Sequence, residues 1–463
     1  MTFPAYPAYK ASGVEWLGDV PIDWALSKVK YDSYVKARVG WHGLKSDEFT
    51  DVGPYLVTGS DFKNRTVEWA SCYHCTNERF EQDKYIQLEE GDLLITKDGT
   101  IGKLILVEGL PGKATLNSGI FVVRPLQQKY STRFYFWIMQ SSVFHEFIGL
   151  NKTGSTIIHL YQETFENLPY ALPPLAEQTK IARFLDHETA RIDALIEEQQ
   201  RLIELLKEKR QAVISHAVTK GLDPTVPMKD SGVEWLGEVP AHWDVKKLKY
   251  GVNVIGGFAF QSSDFIDEGV QLIKIGNLYE NEFQLDRQPT YLNSSFLTSH
   301  NAWVVSRGDL LMSLTGTLGK RDYGSAVLIE CDGKYLLNQR VAKLKIYDLF
   351  DGLFLKFLLH SDGYLNKIYS LPSGTKQANL SNDDVVSVEV SVPALKEQEN
   401  IAAFLVSETE KVAFLIADAE LVISILNERR SALISAAVTG KIDVRGWQPL
   451  ASTPIPELAQ EAV

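Results

Sequence analysis

The chain contains a tandem internal repeat, and this feature restricts its fold more than any other property of the sequence. Residues 12–24 read SGVEWLGDVPIDW, residues 231–243 read SGVEWLGEVPAHW, and the two segments are identical at ten of thirteen positions. Two further pairs match in the same order: GDLLITKDGTIGK at 91–103 with GDLLMSLTGTLGK at 308–320, and EKRQAVISHAVT at 208–219 with ERRSALISAAVT at 428–439. The sequence is therefore a duplication of a unit of about 220 residues.

The two copies differ in the stretches between these motifs. Residues 68–90 and 280–306, for example, share little. The sequence therefore indicates a common scaffold that carries two different inserts.

The first part of each copy is predicted to mix strands and helix. Short apolar runs between glycine-containing turns are typical of strands, and apolar residues at helical spacing predict a buried helix. In the first copy the predicted strands are Leu93–Thr96, Leu104–Val107 and Ile120–Arg124, and the predicted helix covers 131–150. In the second copy they are Ala326–Ile329 and Val341–Ile346, followed by a helix over 349–368.

The second part of each copy predicts a long helix. Neither proline nor glycine occurs between Pro174 and Gly221, which allows a helix of roughly 60–65 Å at 1.5 Å per residue. Apolar residues fall close to heptad spacing and predict a seam. The predicted seam residues are Ile181, Phe184, Ile192, Leu195, Leu202, Leu206 and Val213, then Ile401, Phe404, Val412, Leu415, Val422, Ile425 and Leu433. Because a long helix with one apolar stripe needs a partner, each helix is predicted to pair with its duplicate.

Composition excludes several classes of protein. Hydrophobic residues make up 45% and charged residues 23%, which is typical of globular domains rather than disordered chains. No apolar run is long enough to span a bilayer, and residues 1–10 do not resemble a secretory signal. Three cysteines make no disulfide framework, so a cytoplasmic location is expected.

The charge balance is unfavourable for a protein that holds nucleic acid by charge alone. The net charge is −12, and residues 25–165 carry 16 basic against 16 acidic side chains. Residues 244–385 carry 15 against 16. Because affinity for DNA grows with the number of neutralised phosphates, tight DNA binding by this chain would require positive charge from a partner.

Motifs that mark catalytic or metal sites are missing from the sequence. There is no GxSxG, HExxH, EF-hand or GxGxxG pattern. Pro173-Pro174 is followed by Leu175, so the methyltransferase tetrad, which ends in an aromatic residue, is absent as well. Cys72 and Cys75 have CxxC spacing, but a zinc site needs four ligands, and a packed pair is the better interpretation. No catalytic, cofactor-binding or metal-binding residue is predicted.

The ordered set of motifs resembles one known family. The set comprises SGVEWLGxVPxxW, GxAF at 257–260, GDLLxxxxGTxGK, PxxxEQ, IAxFL and ERRxALIxxxVTG. In this order, and with most motifs present twice, the chain resembles the specificity subunit of type I restriction-modification systems over nearly its whole length. The first copy departs from the pattern at 40–43, where GWHG stands in place of GFAF.

The resemblance implies an α+β fold, with two pseudo-repeated α/β target-recognition domains separated by two long antiparallel coiled-coil helices. The expected divisions are a capping segment 1–24, recognition domain 25–165, helical spacer 166–220, hinge and repeated opening motif 221–243, recognition domain 244–385, helical spacer 386–445 and flexible tail 446–463. Each domain would read one half of a bipartite target in double-stranded DNA, and the helices would set the gap.

The resemblance also implies partners that carry the chemistry. Two methyltransferase subunits and two restriction/translocase subunits would dock on the helices, and the chain itself would be non-catalytic. S-adenosylmethionine, ATP and Mg²⁺ are expected on those subunits, and no cofactor is expected on this chain.

Candidate DNA contacts lie mainly in glycine-containing loops, where short polar or basic side chains can reach phosphates and base edges. The candidates are Lys97, Thr100, Lys103, Lys152, Ser155, Thr156, Gln261, Lys274, Thr317, Lys320, Arg321, Lys376 and Gln377. Ordinary turns explain the glycines equally well. Two other functions stay open: an enzyme with an unrecognised site, which would be active alone, and a duplicated non-DNA scaffold or adaptor, which would enrich no DNA sequence.

Overall fold

The computed structural model describes residues 3–38, 43–63, 66–150, 159–371 and 376–449. The chain divides into two compact units. Unit 1 comprises Met1–Gln199 together with Leu421–Val463, and unit 2 comprises Gln200–Glu420. Each unit therefore combines one strand-rich part with portions of two long helices.

Unit 1 contains short strands and helices followed by the first part of a long helix. Its strands are β1 (Tyr9–Ala11), β2 (Asp19–Pro21), β3 (Ala25–Lys28), β4 (Ser33–Ala37), β5 (Thr50–Val57), β6 (Phe62–Lys63), β7 (Thr66–Val67), β8 (Tyr73–His74), β9 (Leu93–Thr96), β10 (Leu104–Leu106), β11 (Ala114–Leu116), β12 (Ile120–Pro125) and β13 (Pro169–Leu172). Its helices are α1 (Val29–Asp32), α2 (Asn77–Gln82), α3 (Thr132–Met139), α4 (Ser142–Leu150), α5 (Gln162–Glu166) and the beginning of α6 (Leu175–Lys220).

The main sheet of unit 1 has the order β4-β12-β9-β10-β7-β6. Its central strand β9 is buried on both faces. Leu93 and Ile95 face the cluster formed with α3 and α4, whereas Leu94 faces a second cluster formed with the sheet β11-β5-β8. The alternation follows from the two-residue period of a strand, and double burial explains why β9 reads as a continuous apolar run.

Unit 2 repeats this arrangement with additional strands. Its strands are β14 (Met228–Asp230), β15 (Glu238–Pro240), β16 (Asp244–Lys247), β17 (Val252–Gly256), β18 (Phe265–Ile266), β19 (Val270–Ile273), β20 (Tyr291–Leu292), β21 (Val304–Ser306), β22 (Leu310–Ser313), β23 (Thr315–Thr317), β24 (Ala326–Leu328), β25 (Lys334–Leu337), β26 (Val341–Ile346), β27 (Gln377–Asn379) and β28 (Glu389–Val392). Its helices are α7 (Phe296–Ser299), α8 (Gly352–Leu359), α9 (Asp362–Tyr369), α10 (Asn382–Val386) and the beginning of α11 (Leu395–Val438). The order β17-β26-β22-β24 matches β4-β12-β9-β10.

The predicted strands are confirmed to within one residue at each end, but each predicted buried helix is two helices. In unit 1 the break lies between α3 and α4, where the hydroxyl of Ser141 donates to the carbonyl of Ile138 at 2.6 Å. Ser361 donates to Leu358 in the same way at 2.7 Å between α8 and α9. The expectation of one continuous helix was wrong because this local hydrogen bond competes with the helical ladder.

The two long helices pair in opposite directions, which confirms the expected fold class. Helix α6 has 46 residues and α11 has 44. In unit 1, Ile181 near the start of α6 shares a hydrophobic cluster with Ile434 near the end of α11. In unit 2, Ile214 near the end of α6 shares one with Ile401 near the start of α11. Among the described residues, no helix combines the length and apolarity needed to cross a bilayer.

The buried seam of these helices has a period of eleven residues, not seven. In α6 the buried isoleucines are Ile181, Ile192, Ile203 and Ile214, and in α11 the corresponding residues are Ile401, Val412, Ile423 and Ile434, of which Ile423 is half-buried. The heptad prediction was wrong for Leu195, Leu202, Phe404, Leu415 and Ile425, which are exposed. Eleven residues in three turns is 3.67 per turn, closer to the 3.6 of an unstrained helix than the heptad's 3.5.

Unit 1 is closed by contacts between the two ends of the chain. The backbone N–H of Asp443 donates to the carbonyl of Pro4 at 2.7 Å, and the Tyr9 hydroxyl donates to the carbonyl of Gly440 at 3.1 Å. Trp447 was expected to lie in the flexible tail 446–463, but its ring packs edge-on against Phe184 at 5.4 Å. Residues 450–463 lie outside the described part of the chain.

Candidate functional site

Three segments of unit 1 meet at one end of the main sheet. The backbone N–H of Lys97, directly after β9, donates to the carbonyl of Gly119 at 2.8 Å. The carbonyl of Lys97 accepts a hydrogen bond from the N–H of Leu160 at 2.9 Å. We call the surface formed by residues 97–103, 117–119 and 159–160 the loop edge of unit 1.

Unit 2 has the same arrangement. The N–H of Leu314, directly after β22, donates to the carbonyl of Arg340 at 3.0 Å, and the carbonyl of Leu314 accepts from Leu380 at 2.8 Å. The loop edge of unit 2 comprises residues 314–325, 338–340 and 376–380. Because the same pair of backbone hydrogen bonds recurs in both units, the loop edge is part of the duplicated scaffold.

The first-copy candidates that the structure describes lie on the loop edge of unit 1. Thr100 and Lys103 are exposed, whereas Lys97 is half-buried. The Lys97 ammonium lies 3.5 Å from the Asp98 carboxylate and 5.9 Å from the centre of the Phe121 ring. Thr100 and Lys103 therefore present more of their side chains to solvent than Lys97 does. Candidates Lys152, Ser155 and Thr156 fall outside the described residues.

Five second-copy candidates come together on the loop edge of unit 2. Thr317 of β23 pairs with Gln377 of β27, and the carbonyl of Lys376 accepts a hydrogen bond from Leu318 at 3.3 Å. Lys320 is exposed in the same loop. These contacts tie the glycine-containing loop to the segment that leads towards α11.

Arg321, the fifth of these candidates, has a position fixed by an aromatic ring. Its guanidinium lies 5.5 Å from the ring centre of Tyr369, whose hydroxyl donates to the Arg321 carbonyl at 3.2 Å. Its backbone adopts a left-handed conformation, with φ of 53°. The ring and the hydrogen bond hold both the backbone and the charged group of Arg321 in place.

Gln261 and Lys274 are linked to the same loop edge through residues 338–340. The carbonyl of Ile273, which precedes Lys274, accepts from the N–H of Asn338 at 3.0 Å. The carbonyl of Phe258, three residues before Gln261, accepts from the N–H of Gln339 at 3.0 Å. The Lys274 ammonium itself donates to the hydroxyl of Thr290, and Gln261 is exposed.

The GTxGK stretches of the two copies are not structurally equivalent. Gly102 donates its N–H to the carbonyl of Thr96 at 2.9 Å, and in unit 2 the same bond runs from Gly324 to Ser313 at 2.9 Å. Both glycines have positive φ, at 82° and 76°. Gly324, rather than the glycine of the second GTLGK stretch, is therefore the counterpart of Gly102.

This correspondence separates two lysines that the sequence aligns. Lys103 directly follows Gly102 and so occupies the position of a serine, Ser325, in unit 2. Lys320 instead lies in an extension of the second loop, which is five residues longer between the equivalent hydrogen bonds. The sequence alignment paired the wrong positions because the same short glycine pattern occurs at non-equivalent places in the two loops.

The aspartate of the GDLL stretch is structural. The Asp92 carboxylate lies 2.5 Å from the guanidinium of Arg124, and the Asp309 carboxylate lies 2.8 Å from the ammonium of Lys343. In both units the acidic group joins neighbouring strands of the main sheet. It is therefore engaged at the sheet and does not contribute to a ligand site on the loop edge.

Cys72 and Cys75 form a buried pair of thiols. Burial raises the pKa of Cys72 to about 12, and the pKa of Cys75 is raised for the same reason. Both thiols therefore have little tendency to ionise at neutral pH. Among the described residues, no group of three or more His, Cys, Asp or Glu side chains is arranged to hold a metal ion.

Sequence reasoning missed two exposed residues of the loop edge, Gln339 and Arg340. One feature of the sequence could have pointed to them. The pair Leu-Asn occurs at 116–117 and at 337–338, and in both copies it precedes a turn into the next strand. The pattern is two residues long and carries no meaning until the strands are paired.

Comparison with known proteins identifies the family. The family described as "Type I restriction modification DNA specificity domain" matches residues 42–206 and 240–413. The type I restriction enzyme MjaVIII specificity subunit of Methanocaldococcus jannaschii is 27% identical over 432 residues, covering 92% of this chain and 94% of the relative. The putative type I restriction enzyme MjaX specificity subunit of the same organism is 24% identical over 446 residues, covering 93% and 96%.

Solved structures share the fold. A chain from a structure of the type I restriction-modification system superposes with a TM-score of 0.70 at 16% identity, covering 90% of this chain and 98% of that one. The HsdS subunit from Thermoanaerobacter tengcongensis gives a TM-score of 0.51 at 16% identity, covering 91% and 98%. The chain therefore belongs to the type I restriction-modification DNA specificity family, as a specificity subunit with two target-recognition domains.

Proposed function

We propose that each loop edge reads one half of a bipartite target in double-stranded DNA. The observation that carries this proposal is the recurrence of the loop edge in both units, with the same backbone frame and different exposed side chains. The loop edge of unit 1 exposes Thr100 and Lys103. The loop edge of unit 2 exposes Thr317, Lys320, Lys376 and Gln377. A fixed frame with variable polar and basic side chains suits base and phosphate contacts.

The paired helices α6 and α11 are proposed to set the gap between the half-sites and to dock the partner subunits. Large apolar side chains that are exposed on these helices support docking. They are Leu195, Leu202 and Leu205 on α6 and Phe414, Leu415, Leu421 and Ile425 on α11. The proposed partners are two methyltransferase subunits and two restriction/translocase subunits.

Chemistry is assigned to those partners. In this proposal they bind S-adenosylmethionine, ATP and Mg²⁺, and this chain is non-catalytic. The net charge of −12 also implies that the methyltransferase subunits supply much of the positive charge that holds the phosphates. We therefore expect weak, poorly selective DNA binding by the chain alone, and tighter, more salt-dependent binding with the partner.

The test is to map methylated sites in cells that contain this chain and its methyltransferase partner. A bipartite methylated motif supports the proposal, and exchange of residues 25–165 for those of a relative should change only one half-site. Methylation at scattered sites, or none in the presence of an active partner, contradicts it. Change of both half-sites in the exchange would contradict the independence of the two domains.

A second test separates positioning from base reading within one loop edge. Lys376→Ala should weaken binding similarly across sequences, because a lysine at a phosphate carries no base information. Gln377→Ala should instead alter preference at one base, by about 1–3 kcal/mol for a lost bidentate contact. Unchanged affinity and preference in both variants would remove this segment from the DNA-contacting surface.

A further inference from the structure

The turn Asn338–Arg340 is the point at which the segments of the unit 2 loop edge meet. Asn338 donates its N–H to Ile273 at 3.0 Å, Gln339 donates to Phe258 at 3.0 Å, and the carbonyl of Arg340 accepts from Leu314 at 3.0 Å. Each residue of the turn is therefore held by a different part of the chain. A turn fixed in this way projects its side chains from a rigid base.

Gly257 of the GFAF motif allows the backbone to pack closely against this turn. A Cβ atom on Gly257 would lie 2.1 Å from the carbonyl oxygen of Asn338, far inside contact distance. The N–H of Gly257 also donates to the carbonyl of Val341 at 2.9 Å, directly after the turn. The motif thus has a structural explanation: only glycine lets the backbone approach the turn this closely.

The side chains of Gln339 and Arg340 are exposed, and the guanidinium of Arg340 makes no ion pair or ring contact with any residue that the structure describes. Two other cations near the turn have partners, whereas Lys320 and Lys376 carry ammonium groups rather than guanidinium groups. Arg321 lies over the ring of Tyr369, and Lys274 donates to Thr290. Arg340 is therefore the guanidinium on this loop edge that combines a rigid backbone with an uncommitted donor fork.

Unit 1 presents a different surface at the equivalent position. Its turn carries Ser118 and Gly119 where unit 2 has Gln339 and Arg340, with the same hydrogen bond to the preceding strand. The frame is shared, but only the second copy places a long cation there. This difference is of the kind that would distinguish the two half-sites.

The geometry points to Arg340 as a specificity-determining residue that reads a guanine in the second half-site. This inference rests on the proposed function. A guanidinium can donate two parallel hydrogen bonds to O6 and N7 of guanine in the major groove, a pattern that the other bases do not offer. The neighbouring amide of Gln339 stands beside it on the same turn.

The experiment compares the methylated motif of Arg340→Ala, Arg340→Lys and Arg307→Ala with that of the wild-type chain, each with the methyltransferase partner. Arg307 is the matched control because it is an exposed arginine that directly follows β21, next to the end of β25 opposite the turn, and it is paired with Asp332 at 3.2 Å. Arg340→Ala should lower the preference for guanine at one position of one half-site by roughly 10- to 100-fold. The other half-site should not change, and Arg307→Ala should leave the motif intact.

Arg340→Lys distinguishes base reading from phosphate contact. A lysine keeps the charge but not the fork, so discrimination should fall almost as far as in the alanine variant. A lysine variant with the full wild-type motif, or an alanine variant with an unchanged motif, overturns the inference while leaving the proposed function standing. Absence of a bipartite motif from the wild-type complex overturns the proposed function itself.

Discussion

The side-chain carbonyl of Gln398 accepts a hydrogen bond from the backbone N–H of Asp351 at 2.8 Å, which ties the first turn of α11 to the segment before α8. The amide of the same side chain donates to the carbonyls of Leu349 and Pro393, both at 2.9 Å. In unit 1, Gln178 makes two of the three corresponding bonds, accepting from the N–H of Ser131 at 2.8 Å and donating to the carbonyl of Pro173 at 2.9 Å. The glutamine of the PxxxEQ motif is thus a buried clamp between the long helix and the preceding domain.

Gln398→Ala should destabilise the chain by about 2–4 kcal/mol, because it leaves buried backbone groups without partners. Urea unfolding of the full chain measures the change. Gln200→Ala, at an exposed position of α6, is the control and should alter stability by less than about 0.5 kcal/mol. Similar stabilities for the two variants would show that the clamp contributes little.

His360 should make the chain sensitive to mild acid. Its side chain is buried, its Nε2 lies 2.6 Å from the carbonyl of Ala326, and burial lowers its pKa to about 4. The pKa of histidine in the unfolded chain is near 6.5, so His360 is neutral in both states well above that pH. As the pH falls from 6.5 towards 4, only the unfolded chain takes up the proton, and the free energy of unfolding should fall by roughly 3 kcal/mol.

The matched variant is His360→Gln, since glutamine occupies the corresponding position of unit 1 as Gln140. Unfolding free energies between pH 7.5 and 4 should fall less steeply in the variant than in the wild-type chain. Comparing the two cancels the titration of carboxylates that both share. Parallel pH profiles would contradict the assignment to His360.

Adjacent positions on α6 should respond differently to truncation. Ile203 is buried on the eleven-residue seam, whereas Leu202 is 42% exposed. Ile203→Ala should cost about 2 kcal/mol or more, and Leu202→Ala less than about 1 kcal/mol. Denaturant unfolding distinguishes them, and a reversed order would restore the heptad assignment.

The helix length should set the gap in the DNA target. Insertion of four residues after Gln199 adds about 6 Å, or roughly one to two base pairs, and nearly preserves the phase of the seam. Insertion of two residues turns Ile203 and Ile214 by about half a turn away from the seam and should lower stability. Methylation mapping reads the gap. A well-folded four-residue variant that keeps the original gap would argue against α6 as the ruler.

Much of the fold could be predicted because its determinants are local. The apolar run of β9, the turn glycines and the absence of Pro and Gly from α6 are visible in short windows. The period of the buried helix seam was harder to predict, because repeats of 3.5 and 3.67 residues per turn diverge only slightly between Ile181 and Ile192. The error becomes clear further along, where Leu195 and Leu202 are exposed.

The candidate site was predicted only in part because it is assembled from distant segments. Thr317 and Gln377 were both singled out, but their pairing required β23 and β27 to meet. Arg340 was overlooked because the partners of its turn, Ile273, Phe258 and Leu314, lie on three separate stretches of the chain. Nothing within a window around Arg340 distinguishes it from an ordinary surface residue.

The joining of the two chain ends in unit 1 has a consequence for biosynthesis. Unit 2 is one continuous stretch, Gln200–Glu420, so all of its residues are available once position 420 has left the ribosome. Unit 1 also needs Leu421 onward, including Asp443, which bonds to Pro4. Since chains are made from the N-terminus, the domain that is synthesised first is the last to be completed. A nascent chain that stalls after residue 420 has left the ribosome, but before Asp443 has done so, therefore exposes a complete unit 2 while unit 1 is unfinished.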